Sequence, residues 1–216
     1  KKMADDKSDS VIVIMRHAPR LDDDSNAEWS DKSTRPYDTP ISDFQLPLAQ
    51  LELLRPYNIT VVVSSPLRRC LQTAGIICRA LRLSSLVIDY GLSEVMHTVR
   101  STKVTNVNYL NSDGILEAVG DSVEIADVRG SPPPFNEEIG DSLTRYHTTI
   151  KQIESDFPLS SVLCITHGNA VEVCGSHYVS PPVIPFEVNY CGFIAVRDHT
   201  VVGFHGMSLV DEVDSL

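Results

Sequence analysis

An α/β layered fold with a mostly parallel sheet is what the sequence predicts, and three features predict it. Short, continuous apolar runs rich in β-branched residues recur at residues 11–15, 60–64, 86–88 and 162–166, as in strands buried on both faces of a sheet. Between these runs lie segments whose apolar residues repeat at helical spacing. Buried strands that alternate with helices pack in layers, with the helices covering the sheet. At 216 residues, 42% hydrophobic and 22% charged, the chain has enough apolar material for one ordinary globular core, and a single domain over residues 1–216 is expected.

The elements follow in chain order. Residues 11–15 form the first strand. Residues 20–45 are rich in Asp, Ser and Pro without periodicity and read as a loop excursion, and residues 46–54 as a short helix. The second strand, 60–64, runs into a strong helix start: Ser65 suits the N-cap and Pro66 the first helical position. Leu67, Leu71, Ala74, Ile77 or Cys78, and Leu81 then share one helical face. After the third strand, residues 95–137 carry Gly114, Gly120, Gly130 and the run Ser131-Pro132-Pro133-Pro134, and read as an inserted cap of short helix and loop. A helix over 138–156 places Ile139, Leu143, Tyr146, Ile150 and Ile153 on one face. The fourth strand, 162–166, is followed by a helix over 169–174 and by closing strands at 190–196 and 200–204. The sequence contains no internal repeat.

Charge and composition remove several classes of function. The net charge is −11 with no basic tract, the opposite of a nucleic-acid binder. An acidic protein still binds an anion where its few cations converge in one cleft. Apolar runs fall far short of the roughly 20 residues that cross a bilayer. The polar opening Lys1-Lys2-Met3-Ala4-Asp5-Asp6 has no apolar stretch of the kind a secretory signal needs, so a cytoplasmic protein is expected. Five cysteines, an odd number in apolar contexts, read as buried free thiols in a reducing compartment. Asn58-Ile59-Thr60 matches a glycosylation acceptor by chance, since it leads into a buried strand.

Four stretches carry residues suited to chemistry, and each follows a buried strand. The first strand ends in Arg16-His17-Ala18-Pro19-Arg20, at the sheet edge where open α/β folds bind ligands. Arg68 and Arg69 fall in the first turn of a helix, where cations oppose the helix dipole unless an anion sits there. Glu94 follows the third strand, and Thr166-His167-Gly168-Asn169 ends the fourth, with Gly168 suited to a tight turn and Asn169 to a cap. Taken singly, each has an ordinary structural explanation. Together they bring Arg, His and Glu to one cleft. Cys164-x-x-His167 and Cys174-x-x-His177 imitate paired zinc ligands, but the spacing between the pairs is short and Cys164 lies inside an apolar strand.

Arg16-His17-Ala18, Ser65-x-x-x-Arg69-x-x-x-Thr73-Ala74, Glu94 and Thr166-His167-Gly168, in this order, resemble the histidine phosphatases of the phosphoglycerate-mutase-like superfamily over residues 11–205. Within it the nearest likeness is to the suppressor of T-cell receptor signalling phosphatases and the ecdysteroid-phosphate phosphatases. Arg20, Trp29, Asp38-x-Pro40-Ile41-Ser42, Cys70-Leu71-Gln72 and Tyr190-Cys191-Gly192-Phe193 have counterparts there. Ala18 and Gln45 stand where that subgroup often has glycine. The resemblance implies a three-layer sandwich with a mostly parallel sheet, and a phosphomonoester hydrolase working through a phosphohistidine. His17 is then the nucleophile and Glu94 the acid. Arg16, Arg69 and His167 hold the phosphoryl oxygens, and Arg20 and Arg68 bind substrate. No metal or cofactor is implied.

Phosphorylated metabolites or phosphoproteins are the expected substrates, with no nucleic-acid or membrane partner and a homodimer allowed. A phosphoglycerate mutase and a catalytically silent interaction domain are the rival readings. Against the mutase, the arginine that mutases place beside the acid is missing, and Asp22-Asp23-Asp24 would repel a substrate carboxylate if it faced the pocket. A silent scaffold has no reason to retain Arg16, His17, Arg69, Glu94 and His167 together.

Overall fold

The described residues contribute nine strands: β1 (Ile12–Arg16), β2 (Ile59–Ser64), β3 (Ser85–Asp89), β4 (Glu124–Arg129), β5 (Ser161–Thr166), β6 (Val183–Phe186), β7 (Phe193–Arg197), β8 (Thr200–His205) and β9 (Ser208–Asp211). The structure, a computed structural model, describes residues 10–23, 34–180 and 182–211. Seven strands form one sheet in the order β4-β3-β2-β5-β1-β7-β8, parallel from β4 to β1, with β7 and β8 antiparallel at one edge. β6 and β9 make a separate antiparallel pair.

Helices cover both faces, giving the three-layer α/β sandwich. They are α1 (Leu46–Ala49), α2 (Leu51–Leu54), α3 (Arg68–Leu81), α4 (Met96–Ser101), α5 (Ser112–Val119), α6 (Ile139–Asp156) and α7 (Gly168–His177). Alternation along the strands divides the core. Val13 and Met15 pack with Leu71, Ala74 and Ile77 of α3, while Ile12 and Ile14 pack with Ile150 and Ile153 of α6 and Val171 of α7. The four apolar runs of the sequence are thus strands sandwiched between helices. All five cysteines are buried and free.

Three expectations are corrected. Residues 124–129, inside the expected insertion, form β4 and pair with β3 as the sheet edge. β4 is mostly exposed, so it lacks the apolar run that marks a central strand. Ser65 does not cap a helix. Its N–H extends the sheet ladder to the Ile165 carbonyl (2.9 Å), and α3 begins three residues later with Leu67 as N-cap. The side chain that satisfies this helix start comes from outside it, as Asp38 Oδ1 accepts the Arg68 N–H (2.6 Å). Ile139 is 52% exposed: it shares the side of Tyr146 but stands about two turns before it, as the first residue of α6, outside the buried stripe of Tyr146, Ile150 and Ile153.

The backbone also resolves the two glycine replacements. Ala18 is not among the residues at positive φ, and Gln45 is right-handed helical (φ −85°, ψ −28°), so neither side chain strains its turn.

Ile77 is fully buried on the sheet-facing side of α3, and Leu159 is 88% exposed. Ile77→Ala is expected to lower unfolding free energy by about 2–5 kcal/mol and Leu159→Ala to change it by less than about 0.5 kcal/mol. Urea denaturation of both variants checks this, and equal effects would contradict the assigned core.

Candidate active site

Four parallel strands end in register at one edge of the sheet. Arg16 of β1 pairs with Thr166 of β5, and Ser64 of β2 pairs with Ile165 of β5 and Ile88 of β3. The residues that follow these strands therefore share one crevice, where the strand order reverses between β1 and β2 around β5. His17 continues the ladder, its N–H donating to the Thr166 carbonyl (3.0 Å).

At the centre lies Arg69, the largest fully buried side chain. Its Nε donates to His17 Nε2 (3.1 Å) and its Nη1 to the Tyr37 carbonyl (2.9 Å). Nη2 lies 3.3 Å from His167 Nδ1 and 3.8 Å from Glu94 Oε2. His17 Nδ1 is 2.7 Å from the Ala18 carbonyl, which can only accept, so Nδ1 carries the proton. Nε2 is then the unprotonated nitrogen, and its single lone pair accepts the Arg69 Nε–H. His167 is held from its other side by Ser65 Oγ at Nε2 (3.0 Å). Burial, then the Arg69 guanidinium, holds both imidazoles well below their ordinary pKa, so both are neutral near pH 7.

Glu94 faces this cluster from the turn after β3. Its Oε2 accepts from the Tyr37 hydroxyl (3.4 Å) and lies 3.4 Å from His167 Nδ1, and its Oε1 accepts the Val95 N–H (3.0 Å). Arg145 of α6 fixes the turn, donating to the carbonyls of Gly91 (2.7 Å), Ser93 (2.9 Å) and Glu94 (3.2 Å). It is itself paired through Nε with the buried Glu137 (2.7 Å). Tyr146 adds a bond from its hydroxyl to the Ser93 carbonyl (2.5 Å).

A cavity of about 230 Å³ opens over His17, lined among others by Arg16, Arg20, Tyr37, Glu94 and Glu172. This is below the roughly 300–1,000 Å³ of sites that engulf drug-sized ligands. A volume of this size admits a group no larger than phosphate with a few attached atoms. Arg16 crosses the start of α7, donates through Nη1 to the Val188 carbonyl (2.6 Å) and lies 3.9 Å over the Tyr190 ring. Arg20 reaches the cavity while paired in two-pronged fashion with Asp22 (2.8 and 2.6 Å).

Of the residues singled out in the sequence, Arg16, His17, Arg20, Arg69, Glu94 and His167 come together. Arg68 does not. Its guanidinium is 4.0 Å from Glu117 of α5 and it does not line the cavity, because adjacent helical residues point about 100° apart. Asn169 is not a cap either. It lies in the first turn of α7 and donates to Thr98 Oγ1 (3.0 Å). The aspartates at 22 and 23 are taken up by Arg20 and by the Tyr190 hydroxyl respectively, while Asp24 and Trp29 lie outside the described residues. Tyr37, Arg145 and Glu172 were missed. Tyr37 sits in an aperiodic loop, and its one signal was the neighbouring Asp38-x-Pro40-Ile41-Ser42 segment.

A family model for the histidine phosphatase superfamily (branch 1) matches residues 12–195. The chain belongs to that superfamily. Among solved structures, the fold is similar to ecdysone phosphate phosphatase from Bombix mori in complex with tungstate, at TM-score 0.65 and 17% identity over 94% of this chain and 92% of that one. It is similar to phosphoglycerate mutase from Bacillus anthracis at TM-score 0.56 and 16% identity, covering 93% and 94%. A phosphoserine phosphatase mutant from Entamoeba histolytica with phosphoserine gives TM-score 0.52 and 14% identity, covering 90% and 96%. No relative is matched among the curated proteins.

The neutral histidines have a consequence for stability. An unfolded chain takes up protons at these imidazoles below about pH 6.5, which the folded state resists. Stability attributable to each is therefore present above that pH and falls as pH drops below it, by up to about 1.4 kcal/mol per pH unit. His17→Asn should flatten the fall in unfolding free energy between about pH 6.5 and 5. Parallel curves for variant and wild type would show that His17 protonates as readily folded as unfolded.

Proposed function

We propose that this chain is a phosphomonoester hydrolase that works without a metal, through a phosphohistidine on His17. The observation that carries the proposal is the His17 imidazole itself: at the cavity wall, neutral, its proton fixed on Nδ1 by the Ala18 carbonyl, and its Nε2 lone pair held only by the Arg69 Nε–H, which a bound phosphoryl group can draw away. In the first step Nε2 attacks phosphorus in line as the ester P–O bond breaks. Glu94, a carboxylate in the free site, takes up a proton as the anionic ester binds beside it and gives that proton to the departing alcohol oxygen. The phosphoimidazole gains positive character, which the Nδ1–H bond to Ala18 stabilises. In the second step water attacks phosphorus, Glu94 recovers a proton from it, and the P–N bond breaks to return neutral His17 and phosphate.

Charge on the three equatorial oxygens is met by side chains. Arg69 turns its Nε–H from His17 to the phosphoryl group, and Arg16, His167 and the first free N–H groups of α7 complete the cradle. Arginine contacts of this type are worth about 10³–10⁵ in rate in other phosphoryl-transfer enzymes. Because these cations come from side chains, the chemistry asks for no metal ion. The names of the fold neighbours lend support, since two are phosphatases, one of them bound to the oxyanion tungstate. The residue after Glu94 is Val95, 4% exposed, so the position next to the acid in the chain supplies no cation for a second anionic group of a mutase substrate.

Wild-type protein is expected to turn over p-nitrophenyl phosphate in excess EDTA, and His17→Ala to lose at least about 10³ in kcat/KM while remaining folded by circular dichroism. Loss of turnover with EDTA, restored by a divalent metal, would contradict the metal-free mechanism. An unimpaired His17→Ala variant would remove the proposed nucleophile.

A further inference from the structure

The cavity is lined by two chemically opposite sets of groups. One set is donors: Arg16, Arg20 and, behind His17, Arg69. The other set, on α7 and α4, is Glu172, Asn169 and Thr98. Asn169 and Glu172 are three residues apart on α7, hence on one helical face. The Asn169 amide nitrogen is spent on Thr98 Oγ1 (3.0 Å), which leaves its carbonyl oxygen as an acceptor. Glu172 has no hydrogen bond or ion pair to its carboxylate among the described residues. The mechanism above leaves it unused. Arg16 is the cation nearest in effect, yet its guanidinium is held by the Val188 carbonyl and the Tyr190 ring.

We propose that Glu172 is a specificity-determining residue, binding the alcohol part of the substrate and selecting phosphomonoesters whose alcohol carries a donor, an ammonium above a hydroxyl, close to the ester oxygen. Resting on the phosphatase reading, this extends it to a substrate class. Substrates with a carboxylate or second phosphate at that position are repelled. The small cavity places such a group against Glu172, because only a few atoms beyond the phosphoryl group fit inside. Glu172 is exposed to solvent at the cavity, and its pKa is raised by partial burial, opposed by Arg16 and reinforced by the Glu94 carboxylate, so its charge is open to a cationic or donor group of the substrate. The carboxylate that rejects acidic substrates is therefore on α7, not Asp22 or Asp23, which already hold Arg20 and the Tyr190 hydroxyl.

Three two-carbon esters test this: 2-aminoethyl phosphate, 2-hydroxyethyl phosphate and phosphoglycolate, assayed as kcat/KM with wild type and Glu172→Gln. Ratios between the two proteins cancel the differing reactivities of the esters. Glu172→Gln should lower the value for 2-aminoethyl phosphate about tenfold, raise that for phosphoglycolate about tenfold, and move 2-hydroxyethyl phosphate less than either. Glu172→Lys should widen the inversion. Hydrolysis of all three with ratios unmoved by either substitution would overturn the role of Glu172 and leave the phosphatase reading standing. Absence of wild-type turnover on these and on p-nitrophenyl phosphate would overturn both.

Discussion

A guanidinium with no exposure to water, that of Arg69, governs the arrangement around it. Burying an isolated charge is far more costly than a domain of this size can offset, so every donor of that group must be met. The structure meets them with His17, the Tyr37 carbonyl, His167 and the Glu94 carboxylate. These partners come from four separate parts of the chain: the end of β1, the loop before α1, the end of β5 and the turn after β3. One cation thereby ties together the ends of the central strands. Burial, reinforced by this neighbouring charge, keeps both histidines unprotonated near pH 7.

Support for that arrangement is layered outward. Glu94 meets Arg69 because its turn is fixed by three carbonyls bound to Arg145, and Arg145 can be buried because Glu137 neutralises it. Asp38 performs a similar service for α3, capping the helix whose second residue is Arg69. The groups to which the proposed chemistry is assigned thus sit on strand ends and helix starts, while the loops at 34–45 and 93–95 are held to them by charged or polar bonds. Such preorganisation keeps donors in place before charge develops on a bound phosphoryl group.

Much of this was legible in the sequence, for identifiable reasons. β1, β2, β3 and β5 are buried on both faces and so wrote themselves as unbroken apolar runs, and the residues just beyond them were the ones to inspect. β4 escaped because an exposed edge strand carries no such run, and β6 and β9 because they form a small pair apart from the main sheet. Arg68 and Arg69 looked equivalent in one dimension, and only the direction of α3 separates the surface residue from the buried one. Ser65 had the composition of a cap, but the sheet claimed its backbone and His167 its hydroxyl. Tyr37 and Arg145 act from an aperiodic loop and from a helix face otherwise read as apolar packing, where spacing carries no chemical label.

The central claim is that Ala18 and Arg69 leave Nε2 of His17 as the single reactive nitrogen. It is tested most directly by locating the phosphate in an alkali-quenched reaction of protein carrying ¹⁵N-labelled histidine, using ³¹P–¹⁵N coupling and peptide mapping. The account predicts one phosphorylated residue, His17, bonded through Nε2. Phosphate on Nδ1 of His17, on His167, or as an ester on Ser65 would contradict it.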